Sequence, residues 1–218
     1  MATPSNVLPK ILQTGIIAIM RAQSSDQLLA AADAILAGGV DVIEVTMTTP
    51  GALDTIRQAV AKYSEQVAFG AGSVLDAETA RSAILAGAQF IVSPTLNLEM
   101  IHICKRYGVP VIPGAYTPTE ILTAWEAGAD LVKVFPAEVG GPAYIKAIKA
   151  PLPQIRLVPV GGVDLNTTAE FIRAGAAAVG VGSALINQKL LDEGNFSEIT
   201  RRAARFREEV EKGRSQRG

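Results

Sequence analysis

The 218-residue chain is 49% apolar and only 19% charged, and its 20 Lys+Arg against 21 Asp+Glu leave a formal charge of −1. That composition excludes a disordered chain, and the charge balance excludes bulk attraction to nucleic acid or a membrane surface, while a charged small molecule in a local site remains open. The lone cysteine, Cys104, excludes an internal disulfide framework, and the lone histidine, His102, excludes a His-rich metal site. No apolar run nears the roughly 20 residues of a membrane span, and the start lacks a signal peptide's apolar core. The expectation is a cytoplasmic protein forming one α/β domain over residues 1–218.

In chain order, a short helix over 5–13 comes first. Eight apolar runs follow, at 16–20, 42–46, 67–71, 90–93, 109–112, 131–135, 155–160 and 178–181, recurring about every 23 residues. That spacing holds one strand, one helix and two short loops. Capping boxes begin two of the intervening helices, Ser24 with Gln27 and Thr117 with Glu120, and Pro118 suits the first helical position. Thr49-Pro50 and Asn166 read as further N-caps. Four segments repeat one another: AILAGGVDVIEVT from Ala34, AILAGAQFIVSP from Ala83, AWEAGADLVKVFP from Ala124 and FIRAGAAAVGVGS from Phe171. Each ends a helix on Ala-Gly and enters a strand. A last helix covers 195–212, with a frayed tail from 213.

Near-continuous apolar strands alternating with amphipathic helices mean a parallel sheet covered by helices. Eight such units favour a closed (β/α)8 TIM barrel with a short N-terminal helix on its floor and an extra C-terminal helix. A dinucleotide-binding sheet is disfavoured, because Gly70-Ala-Gly72 and Gly180-Val-Gly182 lack the third glycine.

Chemistry in such a barrel sits at the carboxyl ends of the strands. Those positions are Arg21, Glu44, Gly72-Ser73, Ser93-Pro94, Gly114, Lys133, Gly161-Gly162 and Gly182-Ser183. Lys133 alone among the lysines lies inside an apolar strand, on the same face as Leu131 and Phe135. Desolvation there lowers the amine's pKa and makes it a nucleophile, unless the lysine simply neutralises a buried carboxylate. Glu44, also inside a strand, is either a proton shuttle or the counter-ion of Lys133 or Arg21. Arg21 either grips an anion or pairs with Glu44. The glycine pairs after the last two strands suit phosphate binding, or are just tight turns. His102 and Cys104, on a helix over 99–106, read as packing residues.

The stretches AILAGGVDVIEVT, GAGSVLDAETA, AGAQFIVSP, PGAYTPTE, LVKVFPAEVGGPAYIKAIKAPLP and VPVGGV, spread over about residues 15–185, carry a family likeness. The chain resembles the class I 2-keto-3-deoxy-6-phosphogluconate aldolases, which include the 6-phosphogalactonate and 4-hydroxy-2-oxoglutarate enzymes. That resemblance implies a pyruvate-dependent aldolase, usually a homotrimer, needing no metal and no cofactor. It implies Lys133 as the Schiff-base lysine and Glu44 as the proton shuttle. It places Ser73, where the family usually has Thr, on the pyruvyl carboxylate. Pro94 and Phe135 would line the pocket, and Gly161, Gly162, Gly182 and Ser183 would hold the phosphate. Thr48 stands where many members have Arg, and members lacking that Arg tend to carry one where Arg21 stands. Val160 stands where gluconate-type members often have Thr and galactonate-type members often have Val, which leaves the C4 preference open. The rival readings are a sugar-phosphate epimerase or isomerase on the same fold, and a catalytically silent assembly protein.

Overall fold

The computed structural model describes residues 6–21 and 23–216. The repeated Ala-Gly punctuation does what its chemistry suggests. Gly87, Gly128 and Gly175 of these pairs take left-handed φ values between 99° and 111°, two residues past a helix end; in the first repeat Gly38 has φ −84° and the next residue, Gly39, makes the left-handed turn at 83°. Residues with a Cβ avoid that region, so glycine at this recurring position turns each helix back toward the sheet.

The elements run α1 (Val7–Thr14), β1 (Ile16–Met20), α2 (Ser25–Ala37), β2 (Val42–Thr46), α3 (Ala52–Tyr63), β3 (Ala68–Gly72), α4 (Ala77–Leu85), β4 (Ile91–Val92) and α5 (Leu98–Arg106). Then follow β5 (Val111–Ile112), β6 (Gly114–Ala115), α6 (Pro118–Glu126), β7 (Val132–Val134), α7 (Gly141–Lys149), β8 (Leu157–Pro159), α8 (Thr168–Arg173), β9 (Val179–Val181), α9 (Gln188–Asp192) and α10 (Phe196–Ser215). Every strand pairing is parallel. Two sheets form, in the orders β5-β4-β3-β2-β1-β9 and β6-β7-β8.

The sheets meet at both ends. The Asp130 N–H donates to the Val111 carbonyl (3.1 Å) and that of Lys133 to the Pro113 carbonyl (2.9 Å). On the other side the Ala177 N–H donates to the Leu157 carbonyl (2.8 Å), and Val160 bridges Gly180. The result is a curled parallel sheet with helices on its convex side.

Side chains alternate across the strands, and the core divides accordingly. Ile16, Ala18, Met20, Ile43 and Val45 face the helices and join one large buried cluster. Ile17, Ile19, Val42, Phe90, Val92, Ile112, Leu131 and Val158 fill the concave side, together with Val7 and Ile11 of α1, which closes its lower end. Phe90 fits because Gly70 has no side chain: a Cβ there would stand 2.4 Å from the ring. At roughly 1.5–3 kcal/mol for each large side chain, this inner cluster holds the strands around the site.

Several local expectations are corrected. The run at 109–112 continues past Pro113 as two short strands, because proline has no N–H for the ladder. Thr49-Pro50 does not cap α3; its N-cap is Gly51, and Thr49 takes part in the preceding turn. Asn166 does not cap α8, whose N-cap is Thr167. The Asp164 carboxylate accepts from the Asn166 and Thr167 N–H groups instead. Thr117 and Glu120 form the full reciprocal capping box, whereas Ser24 caps Gln27 in one direction only. The last helix runs on through Ser215. Gly213, where fraying was expected, is buried against Ala169 and Ile172 of α8. The start of the expected 5–13 helix, Ser5, lies outside the described residues.

Candidate active site

Glu44 and Lys133 are charged groups planted in strands, and both are buried: Glu44 is 2% and Lys133 6% exposed. Alternation places them on the concave face, Glu44 above Val42 and Lys133 above Leu131. The space for the Glu44 carboxyl is made by Gly72, its neighbour on β3. A Cβ at residue 72 would lie 1.8 Å from Glu44 Oε1 and 2.3 Å from its carboxyl carbon. Gly114, in register with Lys133, lets the Pro94 carbonyl come within 2.3 Å of where a Cβ would stand.

Among the described residues, neither the Glu44 carboxyl nor the Lys133 amine forms a hydrogen bond, and no ion pair within 4.0 Å joins them. The reading of Lys133 as half of a structural ion pair is therefore not what the geometry shows, and Arg21 does not pair with Glu44 either. Their charges still act on one another through the protein. Burial pushes the Glu44 carboxyl above its ordinary range, and the charges of Lys133 and Arg21 pull it partly back. Burial likewise lowers the Lys133 amine; the Glu44 charge opposes that shift and the Arg21 charge adds to it. A lysine pushed down and a carboxyl pushed up in one site are suited to nucleophilic and proton-transfer work near neutral pH. The ammonium also lies over the ring of Phe135, 5.0 Å from its centroid.

Beside this pair opens a cleft of about 430 Å³ lined by Arg21, Phe135, Val160, Gly161, Gly162, Gly182 and Ser183, together with Ile19, Val163, Asp164, Gly180 and Ala184. Gly161 and Gly162 turn with φ of 94° and 70°, which favours glycine. Gly182 is different: a Cβ there would meet nothing within 4 Å, so packing does not demand glycine and the bare backbone faces open space. A cation and three such glycines around one cleft suit an anion.

Ser73 and Pro94 lie apart from this cleft, at the ends of β3 and β4 on the other side of the Lys133–Glu44 pair. Ser73 has φ 59°, an uncommon conformation for a residue with a side chain. Thr48 is exposed, its hydroxyl 2.9 Å from that of Thr46. His102 is on the surface of α5, 4.0 Å from Glu99, so it is no packing residue. Cys104 is buried, and burial pushes its thiol up to about 12. Asp164 escaped the sequence reading, and Gly72, read there as a strand-end position, was not linked to Glu44. The Asp-x-x-Thr spacing that turns the chain at Asp164 was a usable signal, but the Gly72–Glu44 contact spans two strands and left none.

The sequence profile described as "Aldolase: KDPG and KHG aldolase" matches residues 8–202. The chain belongs to this family. The 2-dehydro-3-deoxy-6-phosphogalactonate aldolase of Escherichia coli K12 is 40% identical over 171 residues, covering 78% of this chain and 83% of that one. The 2-dehydro-3-deoxy-phosphogluconate aldolase of Treponema pallidum is 37% identical over 186 residues, covering 85% and 88%. Among solved structures, a native KDPGal structure superimposes with a TM-score of 0.86 at 35% identity, covering 92% of this chain and 96% of its own. The KDPG aldolase of Legionella pneumophila, with pyruvate captured as a covalent carbinolamine, does so with a TM-score of 0.85 at 27% identity, covering 93% and 97%. The chain is thus an aldolase, a lyase by class.

Proposed function

We propose that this aldolase reversibly cleaves a 2-keto-3-deoxy-6-phospho sugar acid to pyruvate and glyceraldehyde 3-phosphate through an imine on Lys133, and that it also cleaves 4-hydroxy-2-oxoglutarate to pyruvate and glyoxylate. The observation that carries this reading is the buried, unbonded Lys133–Glu44 pair beside an anion-suited cleft.

The Lys133 amine attacks the C2 ketone, and Glu44 supplies the proton that lets the carbinolamine lose water. Glu44 then takes the proton of the C4 hydroxyl. The C3–C4 bond breaks, its electrons pass into the protonated imine, and the aldehyde leaves. The enamine is protonated at C3, and water releases pyruvate from Lys133. The imine is the electron sink, so the mechanism calls for no metal and no cofactor. The carbinolamine in the Legionella relative supports this chemistry. Arg21, Gly161, Gly162, Gly182 and Ser183 hold the phosphate. Ser73 meets the pyruvyl carboxylate, Pro94 and Phe135 wall the reacting carbons, and Val160 faces C4.

The fold reading behind this is a single (β/α)8 domain over residues 1–218. It is supported by the hydrogen bonds joining the sheets on both sides, with β5 and β6 counted as one strand broken at Pro113. A homotrimer in the cytoplasm is part of the same proposal. Membership of the family supports both.

The test is pyruvate release from the gluconate and galactonate epimers with a chelator present. Both should be cleaved at a rate the chelator leaves unchanged. Release from neither epimer would overturn the proposal.

A further inference from the structure

Phe135 is 38% exposed, among the few large apolar side chains so placed, so burial does not account for an aromatic ring here. It follows Lys133 by two residues and shares its face of the sheet. One side of the ring meets the Lys133 amine, 5.0 Å from its centroid. The ring also packs near the Gly161 turn, where a Cβ would lie 3.5 Å from Cδ2 and Cε2. Among the described residues the amine has no hydrogen bond and no ion pair, so this ring is its one direct polar contact.

We infer that the face of Phe135 is the fixed partner of the positive charge that Lys133 Nζ gains when the neutral amine becomes the protonated imine, which makes Phe135 a catalytic residue. A ring face attracts a cation electrostatically, and more strongly where water is excluded. The chemistry gives a reason to use a ring. Glu44 loses its negative charge when it takes a proton, so it is not a constant counter-ion for the imine. An aromatic face does not titrate. It favours the charged imine over the neutral amine before it and the neutral enamine after it.

This inference rests on the aldolase reading, and its signature is a split between binding and turnover. Replacing Phe135 by fluorinated phenylalanines, with one to three ring fluorines, empties the ring face at nearly constant size. The readout is the pyruvate concentration that half-saturates borohydride trapping at Lys133, followed by mass spectrometry. It should rise stepwise along the series and, for Phe135→Leu, by roughly two- to thirtyfold. The kcat for cleavage should change by a smaller factor, because the ring stabilises the imine from which cleavage starts and not the enamine. A half-saturation that stays constant along the fluorine series, while the imine is still trapped, would overturn the inference and leave the aldolase reading standing. Failure to trap an imine on the unsubstituted protein would overturn both.

Discussion

Adding one methyl group at Gly72 tests whether Glu44 works where the structure puts it. The new Cβ of Gly72→Ala would stand 1.8 Å from Glu44 Oε1, about 1.6 Å short of ordinary 3.4 Å contact. Gly72 is paired in register with Thr46 and cannot retreat without breaking the β2–β3 ladder, so the carboxyl must move. A misplacement near 1 Å can cost about 10²-fold, and loss of a general acid–base group about 10²–10⁴-fold. Gly72→Ala should therefore lower kcat at least about 10²-fold although residue 72 carries no reactive group. Overpacking should also cost roughly 1–3 kcal/mol of stability. The assay is a double-mutant cycle with Glu44→Gln and Glu44→Ala, reading kcat for cleavage and the thermal midpoint. Because both substitutions disable one carboxyl, Gly72→Ala should add little to the kcat loss of Glu44→Gln. Glu44→Ala, which opens the space, should recover part of the stability lost by Gly72→Ala. A Gly72→Ala enzyme within threefold of the parent, or losses that multiply fully in the double variant, would refute the reasoning.

Glu44→Gln alone should raise the midpoint near neutral pH while abolishing most activity. The raised carboxyl pKa means the folded chain binds that proton more tightly, a stability present at low pH and lost as pH rises, so ionised Glu44 is a cost near pH 7. Each ~1 kcal/mol recovered is about 2–4 °C at this size, and the gain should vanish at acid pH. Imine formation with pyruvate should quicken with pH and level off below the ordinary lysine range, because burial lowers the Lys133 amine; a rise continuing into that range would contradict this. Ser183→Glu should weaken phosphorylated substrates far more than 4-hydroxy-2-oxoglutarate, compared by kcat/KM; equal losses would move the phosphate elsewhere. Val160, 7% exposed in the cleft, offers no hydrogen bond, so both epimers should react within about tenfold of each other. Val160→Thr should shift the ratio toward the gluconate form, and an unmoved ratio would remove Val160 from C4 recognition.

What was legible in the sequence was what local chemistry determines. The Ala-Gly stops are four copies of one backbone requirement, met by Gly87, Gly128 and Gly175 and, in the first copy, by Gly39 one residue after the pair. Lys133 and Glu44 stood out because a charge inside an apolar strand has a large desolvation cost whatever the fold. Competition and distance hid the rest. Asn166 was a reasonable cap, but the Asp164 carboxylate two residues earlier claims the N–H groups first. The strand beyond Pro113 lies in Gly114–Ala115, where no alternation of apolar residues marks it. The short α9 helix falls in a stretch that gave no periodic signal. Gly72 reads as any small strand residue until Glu44 on the next strand is set against it.

The most direct measurement of the central claim is borohydride reduction in the presence of pyruvate, followed by intact mass and peptide mapping. The account predicts one reduced pyruvyl group per chain, located at Lys133, and none on a Lys133→Met variant. A label on an exposed lysine such as Lys62 with Lys133 unmodified, or no label at all, would contradict it.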